Sequence, residues 1–563
     1  MKIYTLIFFS LLNCFLFGQD GKKVQFVGGA RSLLSASDIS TNETDTVTVG
    51  KTTGGYALID LGVKINPNPK TEILGMFRIN NAFGGFWGSD VSFGVRQLHV
   101  KGIAGKGIRY QIGNIDYKLT PYTCFNSNPD LILPSFGTTA IKEQIINYES
   151  FYKANTWRQQ GAAVDFILNF NKYNDEVKVK SFLFRLNPSN QSSLFERLYG
   201  GGSIVLNQHK NFQIGANYAS VFDVRGTALN NDFYRNHVTT LIYDYKYDFE
   251  KFQLQFSGES GISNTFSAEQ INPQLKDYFI HVKAKSILKK TGIQFEASFM
   301  DNGADFRSAG AQSKRIDFNQ QNTYYQRYTN NQIIRPISYY DLYNDPALYS
   351  MQFSTKLMEY NPAINNVLPY GIATFNRRGA YFSINYNDKK DRIRTEFKYH
   401  LLGEVRGQGT LALRKFDYLV GSINFNPSAV FNWKKSQTLF LAVAYQHTNR
   451  NSQLPLESIN LQSYTLNFGF SCEIIDKLYL IGNSYLFQSK GNEIMPVRDS
   501  EGVIINFQPT SISGSEYCLS SGLKFEFSKD VYLSIFYEHN VNNFMAYKPY
   551  NFNQFQVVYF MKF

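Results

Sequence analysis

The sequence predicts an all-β fold, a transmembrane antiparallel β-barrel of about 22 strands, with 18 to 24 as the range the segment boundaries allow. Three observations predict it. Apolar and polar residues alternate with period two along most of the 563 residues, which places successive side chains on opposite faces of a strand. The alternating segments come in pairs joined by very short polar turns, and longer stretches rich in Asn, Gly, Ser and Tyr separate one pair from the next. The chain is 16% aromatic, yet beyond its first residues no stretch is apolar enough to be a membrane helix, which needs about 20 apolar residues.

The N-terminus stands apart. "MKIYTLIFFSLLNCFLFGQ" has Lys2, an apolar run from Ile3 to Phe17, and then Gly18. It reads as a secretory signal peptide over residues 1–18, cleaved near Gly18. The run is too short for a spanning helix. A lipid anchor at Cys14 is the lesser reading, since Asn13 occupies a position where a lipoprotein signal wants a small residue.

Residues 19–563 form one domain, because no Pro/Ser-rich linker or charge block divides them. Alternation begins at once, in "KKVQFVGGARSLL", so no plug domain is expected ahead of the first strand. Cys124, Cys472 and Cys518 remain after cleavage. Their number is odd and their spacings are unrelated, which is no disulfide framework and no metal site.

The hairpins follow in order: "VKINPNPKTEILGMFRI", "SIVLNQHKNFQIGANYA", "LIYDYKYDFEKFQLQFSG", "YFSINYNDKKDRIRTEFKYH", "NFGFSCEIIDKLYLIGNSYLF" and "LKFEFSKDVYLSIFYEH". Each has two alternating runs around a short polar turn. Ten such turns fall near residues 67, 104, 173, 209, 249, 289, 389, 435, 475 and 529. Transmembrane barrels segregate their connections in this way, with short periplasmic turns and long extracellular loops. Two connections are much longer than the rest, about 118–158 and 303–378. Loops of that length are functional or disordered. The expectation is that one or both enter the barrel mouth as a constriction or contact surface, with Tyr324, Tyr325, Tyr328, Tyr339 and Tyr340 as candidate contacts. An ordered cap over the rim is the alternative. In "AIKEQIINYESFY", Ile141, Ile145, Tyr148 and Tyr152 share a helical stripe, which reads as a packing face.

The chain ends "NFNQFQVVYFMKF". Phe555, Val557, Tyr559, Met561 and Phe563 share one apolar face, and Gln554, Gln556, Val558, Phe560 and Lys562 share the other. In water such a last strand would be an open, sticky edge. In lipid it pairs with the first strand, because every backbone group there must be satisfied within the protein. This ending resembles the C-terminal signal of Gram-negative outer-membrane proteins, and with the hairpin rhythm the resemblance spans the mature chain. It implies a location in the bacterial outer membrane, contact with outer-membrane lipid, and recognition of the five outward residues by the barrel-assembly machinery.

Strand parity points Lys283, Lys285, Arg394, Lys398 and Lys524 into the lumen, with Glu296, Glu396, Glu526 and Glu538 among them. The formal net charge is +12. Rings of charge select ions in pores, so a modest anion preference is one reading and mutual neutralisation across strands is the other. The basic excess is spread along the strands without forming a stripe, which argues against nucleic acid as a partner. The seven histidines lie at 99, 209, 237, 281, 400, 447 and 539 without metal-ligand spacing. No nucleophile elbow or phosphate loop occurs, and "DNGAD" and "NSNPD" read as turns. No enzyme activity and no cofactor are expected. What the resemblance implies is a porin-like channel for passive or loop-gated passage of small solutes. The alternative is a non-conducting barrel that binds a protein or glycan through its extracellular loops, or that serves as a subunit of a larger surface assembly.

Overall fold

The structure, a computed structural model, describes residues 23–40, 51–83, 91–105, 107–125, 133–149, 159–170, 176–208, 211–229, 232–268, 274–318, 337–349, 353–498, 504–544 and 549–563. Its strands are β1 Val24–Ser40, β2 Lys51–Asn68, β3 Thr71–Ala82, β4 Val91–Ala104, β5 Ile108–Ile115, β6 Gln159–Asn169, β7 Glu176–Asn187 and β8 Arg197–Gln208. There follow β9 Phe212–Asp223, β10 Tyr234–Asp248, β11 Phe252–Ser267, β12 Gln274–Leu288, β13 Gln294–Asn302, β14 Pro369–Ile372, β15 Arg377–Asn387 and β16 Ile393–Gly403. The last are β17 Lys415–Phe425, β18 Gln437–Arg450, β19 Ile459–Ile475, β20 Leu478–Arg498, β21 Ile504–Ser528, β22 Val531–Phe544 and β23 Tyr550–Lys562.

All of them except β14 join one 22-stranded sheet in which each strand pairs antiparallel with the next. The sheet closes where β1 meets β23, in a register running from Gly29 opposite Lys562 to Ser40 opposite Asn551. The last strand therefore has no open edge, as its composition requires. Connections alternate in length as the sequence predicts. One differs: the turn expected near 435 carries helix α4, Pro427–Phe431, with Pro427 in its first turn and Asn432 left-handed after its end. It leaves Phe431 and Trp433 exposed with their rings 5.2 Å apart, an aromatic pair suited to a membrane interface.

The two faces of the sheet differ as period two demands. Large apolar side chains point outward, among them Leu241 at 61% exposure, Ile262, Leu183, Ile112, Phe555 and Phe563. So wide an exposed apolar belt is stable against hydrocarbon and not against water. No helix among the described residues is long and apolar enough to cross a membrane; the strands cross it instead. Inward positions carry small polar side chains such as Ser203, Asn217, Thr240, Ser298, Ser463, Asn483 and Ser534, all buried. They are buried because the lumen is not empty.

Two long connections fill it. The first carries helix α1, Thr138–Glu149, and the second carries α2, Ala309–Gln312, and α3, Tyr339–Asn344. Ile141 and Ile145 of α1 pack on inward Ile481, Tyr532, Phe536, Val558 and Phe560. Tyr532 and Phe560 lie beside the β21–β22 turn and the chain end, so the loop descends to the short-turn half of the barrel. Gly137, with φ +59°, lets the incoming chain touch the wall, where a Cβ would sit 2.4 Å from the Gly482 carbonyl. Ile316, Ile337, Tyr339, Leu342 and Tyr349 of the second loop form one apolar cluster with Ile146 and with inward Tyr485, Phe487 and Phe552. Across the lumen, Tyr122 stacks on inward Phe279 at 3.8 Å, with Phe306 edge-on. The core of this protein lies within the barrel, between wall and loops.

At the long-loop rim, β20 and β21 outrun their neighbours. β19 pairs with β20 up to Asn492, and β22 pairs with β21 from Gly514. Beyond those points the two strands pair only with each other, from Glu493 opposite Thr510 to Arg498 opposite Ile504. Six residues at about 3.3 Å each make a ribbon roughly 20 Å tall. Among its described residues, four positions offer no free outward N–H. The Ile494 amide donates to its neighbour Glu493 at 2.8 Å, the Phe507 amide to Asn506 at 2.8 Å, and the residues opposite them, Pro509 and Pro496, have no N–H to offer.

Candidate functional site

The site is the contact between infolded loops and wall, together with the space they leave. Helix α1 is held at its end by charge. Arg31, Arg78 and Arg96 on β1, β3 and β4 converge with Asp60 of β2 on the last residues of α1. Arg78 donates to both Asp60 oxygens at 2.8 and 2.7 Å and to Glu149 Oε2 at 2.5 Å. Arg31 also donates to Glu149. The Tyr148 hydroxyl donates to Asp60 at 2.7 Å, while Arg96 donates to the Tyr148 carbonyl and lies 4.3 Å from its ring. Arginines at a helix C-terminus complement its dipole. Burial pushes the Glu149 carboxyl up, and the guanidiniums of Arg31 and Arg78 outweigh it, holding the group below the usual carboxylate range. Halfway along α1, Lys142 pairs with Glu538 and with Asn344 of α3, under the ring of Tyr340.

Helix α3 is held at its start. Ser338 and Asp341 form a capping box, and the Tyr339 and Tyr340 amides donate to Glu516 of β21 at 2.8 and 2.7 Å. Tyr485 and Asn540 donate to the same carboxylate at 2.8 and 3.1 Å. A barrel glutamate thus satisfies helix N–H groups that have no partner within the helix.

The predicted loop contacts fall in two groups. Tyr339 and Tyr340 are buried against the wall, Tyr339 stacked on Phe487 at 5.6 Å and Tyr340 donating to Glu538 and Gln554 at 3.1 Å. What they contact is the barrel itself. Tyr324, Tyr325 and Tyr328 lie outside the described residues, as does Tyr152. On the α1 stripe, Ile141 and Ile145 pack as expected, and Tyr148 adds a polar role that apolar periodicity does not signal.

The inward charges stand in opposite-sign pairs. Lys398 lies 2.8 Å from Glu396, Lys524 2.6 Å from Glu526, and Lys283 4.0 Å from Glu296. Arg394 lies 3.3 Å from Asp391 in the adjoining turn, and Glu538 is the partner of Lys142. Lys285 stands opposite Glu296 in the β12–β13 register. The Arg31, Arg78 and Arg96 cluster is absent from the sequence reading, because its members sit on three strands and only closure of the first hairpins onto α1 assembles them.

Between the loops and β16–β17 a cavity of about 430 Å³ remains. Leu133–Ser135, Glu143, Asn147, Arg315, Tyr343 and Tyr349 line it from the loops, and Glu396, Lys398, Tyr418 and Ser422 from the wall. Glu396 and Ser422 are opposite each other near the short-turn end, so the cavity follows the wall along the barrel axis. A second space of about 460 Å³ lies at the short-turn end of β2–β6, lined by Lys70, Glu72, Lys101, Arg109, Asp116 and Asp165.

Fold and lumen together define a class: a membrane-spanning β-barrel narrowed from within by its own loops. Among solved structures, the chain is similar to Acinetobacter baumannii OccAB1, at 9% identity over 95% of this chain and 96% of that one, TM-score 0.31. It is also similar to Pseudomonas aeruginosa OccK9 (OpdG), at 9% identity over 96% and 99%, TM-score 0.32. A BenF-like porin from Pseudomonas fluorescens Pf-5 matches at 7% identity over 96% and 99%, TM-score 0.33. No family model matches the chain, and no curated protein matches it.

Proposed function

We propose that this protein is an outer-membrane channel of a Gram-negative bacterium, passing small solutes through a lumen constricted by its own loops. The observation that carries the reading is the cavity of about 430 Å³ along β16–β17, a space bounded on one side by the infolded loops and on the other by the barrel wall. The apolar belt and the aromatic pair Phe431 and Trp433 support contact with outer-membrane lipid. The last strand, with Phe555, Val557, Tyr559, Met561 and Phe563 on the lipid side, is the segment the assembly machinery would bind. Residues 1–18 would be removed on export.

Planar-bilayer recording tests the channel. Steady conductance from the purified chain, raised by deletion of residues 137–149, is the expected result; silence from both forms would refute it. A second reading, a non-conducting platform for a protein or glycan, is favoured by the rim, where Leu411 and Leu456 are 101% and 80% exposed on loops joined by a 2.6 Å bond from Thr410 to Glu457. Silence together with a stoichiometric co-purifying partner would support that reading.

A further inference from the structure

The wall of the cavity along β16–β17 carries charge without carrying net charge. Two cations line it, Arg315 and Lys398, and two carboxylates, Glu143 and Glu396. Lys398 and Glu396 pair directly at 2.8 Å. Arg315 and Glu143 are joined through an amide: Arg315 Nη2 donates to Asn147 Oδ1 at 2.8 Å, and Asn147 Nδ2 donates to Glu143 Oε1 at 3.3 Å. The first pair cancels its own field at close range, and the second is linked through one amide, so the lining carries as many cations as carboxylates. An ion entering this space finds no compensating charge for the hydration it loses.

The remaining lining suits another chemistry. The Tyr343 hydroxyl donates to the Leu133 carbonyl at 3.0 Å, and the Tyr349 hydroxyl donates to the Leu342 carbonyl. With their hydroxyls committed to backbone, these largely buried tyrosines turn only ring carbon toward the cavity, and the guanidinium of Arg315 lies 5.2 Å from the Tyr349 ring. Beside them stand Ser135, Asn147, Ser422 and both charge pairs, a set of donors and acceptors with no net sign. Ring surface next to uncharged hydrogen-bonding capacity complements a molecule that has C–H faces and hydroxyl edges. A volume of about 430 Å³ falls within the range of small-ligand sites.

We propose that the solutes selected at this constriction are neutral and polyhydroxylated, of mono- to disaccharide size, and that Arg315, Asn147, Glu143, Lys398 and Glu396 enforce this by keeping the passage electrically balanced. The inference rests on the channel reading above.

The test uses the full mature chain in bilayers and in proteoliposomes. Two results are expected. In a KCl gradient the cation-to-anion permeability ratio stays within about threefold of unity. Swelling is several-fold faster in glucose or maltose than in gluconate or arginine at equal concentration. Lys398→Glu, which turns the direct pair into two carboxylates, shifts the ratio toward cations by about tenfold, with heat-modifiable gel mobility reporting that the barrel is intact. If that shift is absent, the cavity is not the ion path and the proposal fails. A wild-type ratio beyond about tenfold in either direction, or charged solutes entering as fast as sugars, overturns neutral-solute selection while leaving the channel standing. Absence of both conductance and swelling defeats the channel reading itself.

Discussion

Arg78 Nη1 lies 2.5 Å from Glu149 Oε2, joining the third barrel strand to the last described residue of the helix that enters the lumen. The wall arginine also grips Asp60. Glu149 is thus added to a cation that already has one carboxylate, and Arg31 and Arg96 balance the surplus. A buried pair broken from one side leaves an uncompensated charge and costs about 3–5 kcal/mol.

Glu149→Gln is therefore expected to loosen α1 by about 3 kcal/mol without opening the barrel. Single-channel recordings should show added open-channel noise and larger conductance steps than wild type. Unchanged noise would mean that the apolar face of α1 alone holds it in place.

Glu516→Leu removes the acceptor for the Tyr339 and Tyr340 amides and for Tyr485 and Asn540. Buried donors left unpaired cost about 1–3 kcal/mol each. The expected readout is faster proteolysis of the second loop, with cleavage between 337 and 349, while the barrel stays protease-resistant.

Lys314 is fully buried within the second loop, its ammonium near the rings of Phe318, Tyr360 and Tyr370 at 5.0–5.4 Å and without a hydrogen-bond acceptor among the described residues. Burial pushes its amine well below the usual lysine value. An unfolded chain then binds more protons than the folded one between that lowered value and about 10.4, so stability rises with pH across this window. Lys314→Met is expected to raise the melting temperature at neutral pH, with the gain shrinking as pH approaches 10. A gain that stays constant with pH would show that the rings bind Lys314 as a cation.

On the outer face, Leu241→Arg at the middle of β10 should cost about 2–4 kcal/mol of folding into vesicles, the cost of a cation at the bilayer midplane. Lys283→Gln on the inner face of β12 should cost little, since its contact with Glu296 is long at 4.0 Å. Equal costs at the two positions would contradict the assignment of faces.

Strand count and turn rhythm are legible in the sequence, because period two fixes which side of a sheet each residue takes once the sheet closes. Helix α4 is not legible, since its turn signals and its short Pro-led helix draw on the same residues. The attachment of the loops is hidden as well. Asp60, Arg78 and Glu149 are distant in sequence, and each alone reads as an ordinary polar position. Tyr340 reads as a candidate contact of a loop at the barrel mouth, and only Glu516, 176 residues away, shows what holds its amide. Local pattern determines the wall, and long-range pairing determines what the wall holds.

The ribbon of β20 and β21 bears on how densely this protein can be displayed. Membrane proteins diffuse in a plane and meet one another side-on, so two bare ribbons would collide in the orientation that lets strands zip together. Pro496, Pro509 and the self-bonded amides of Ile494 and Phe507 remove the donors such zipping needs. Neighbouring copies can crowd one membrane without knitting into a fibrous mat.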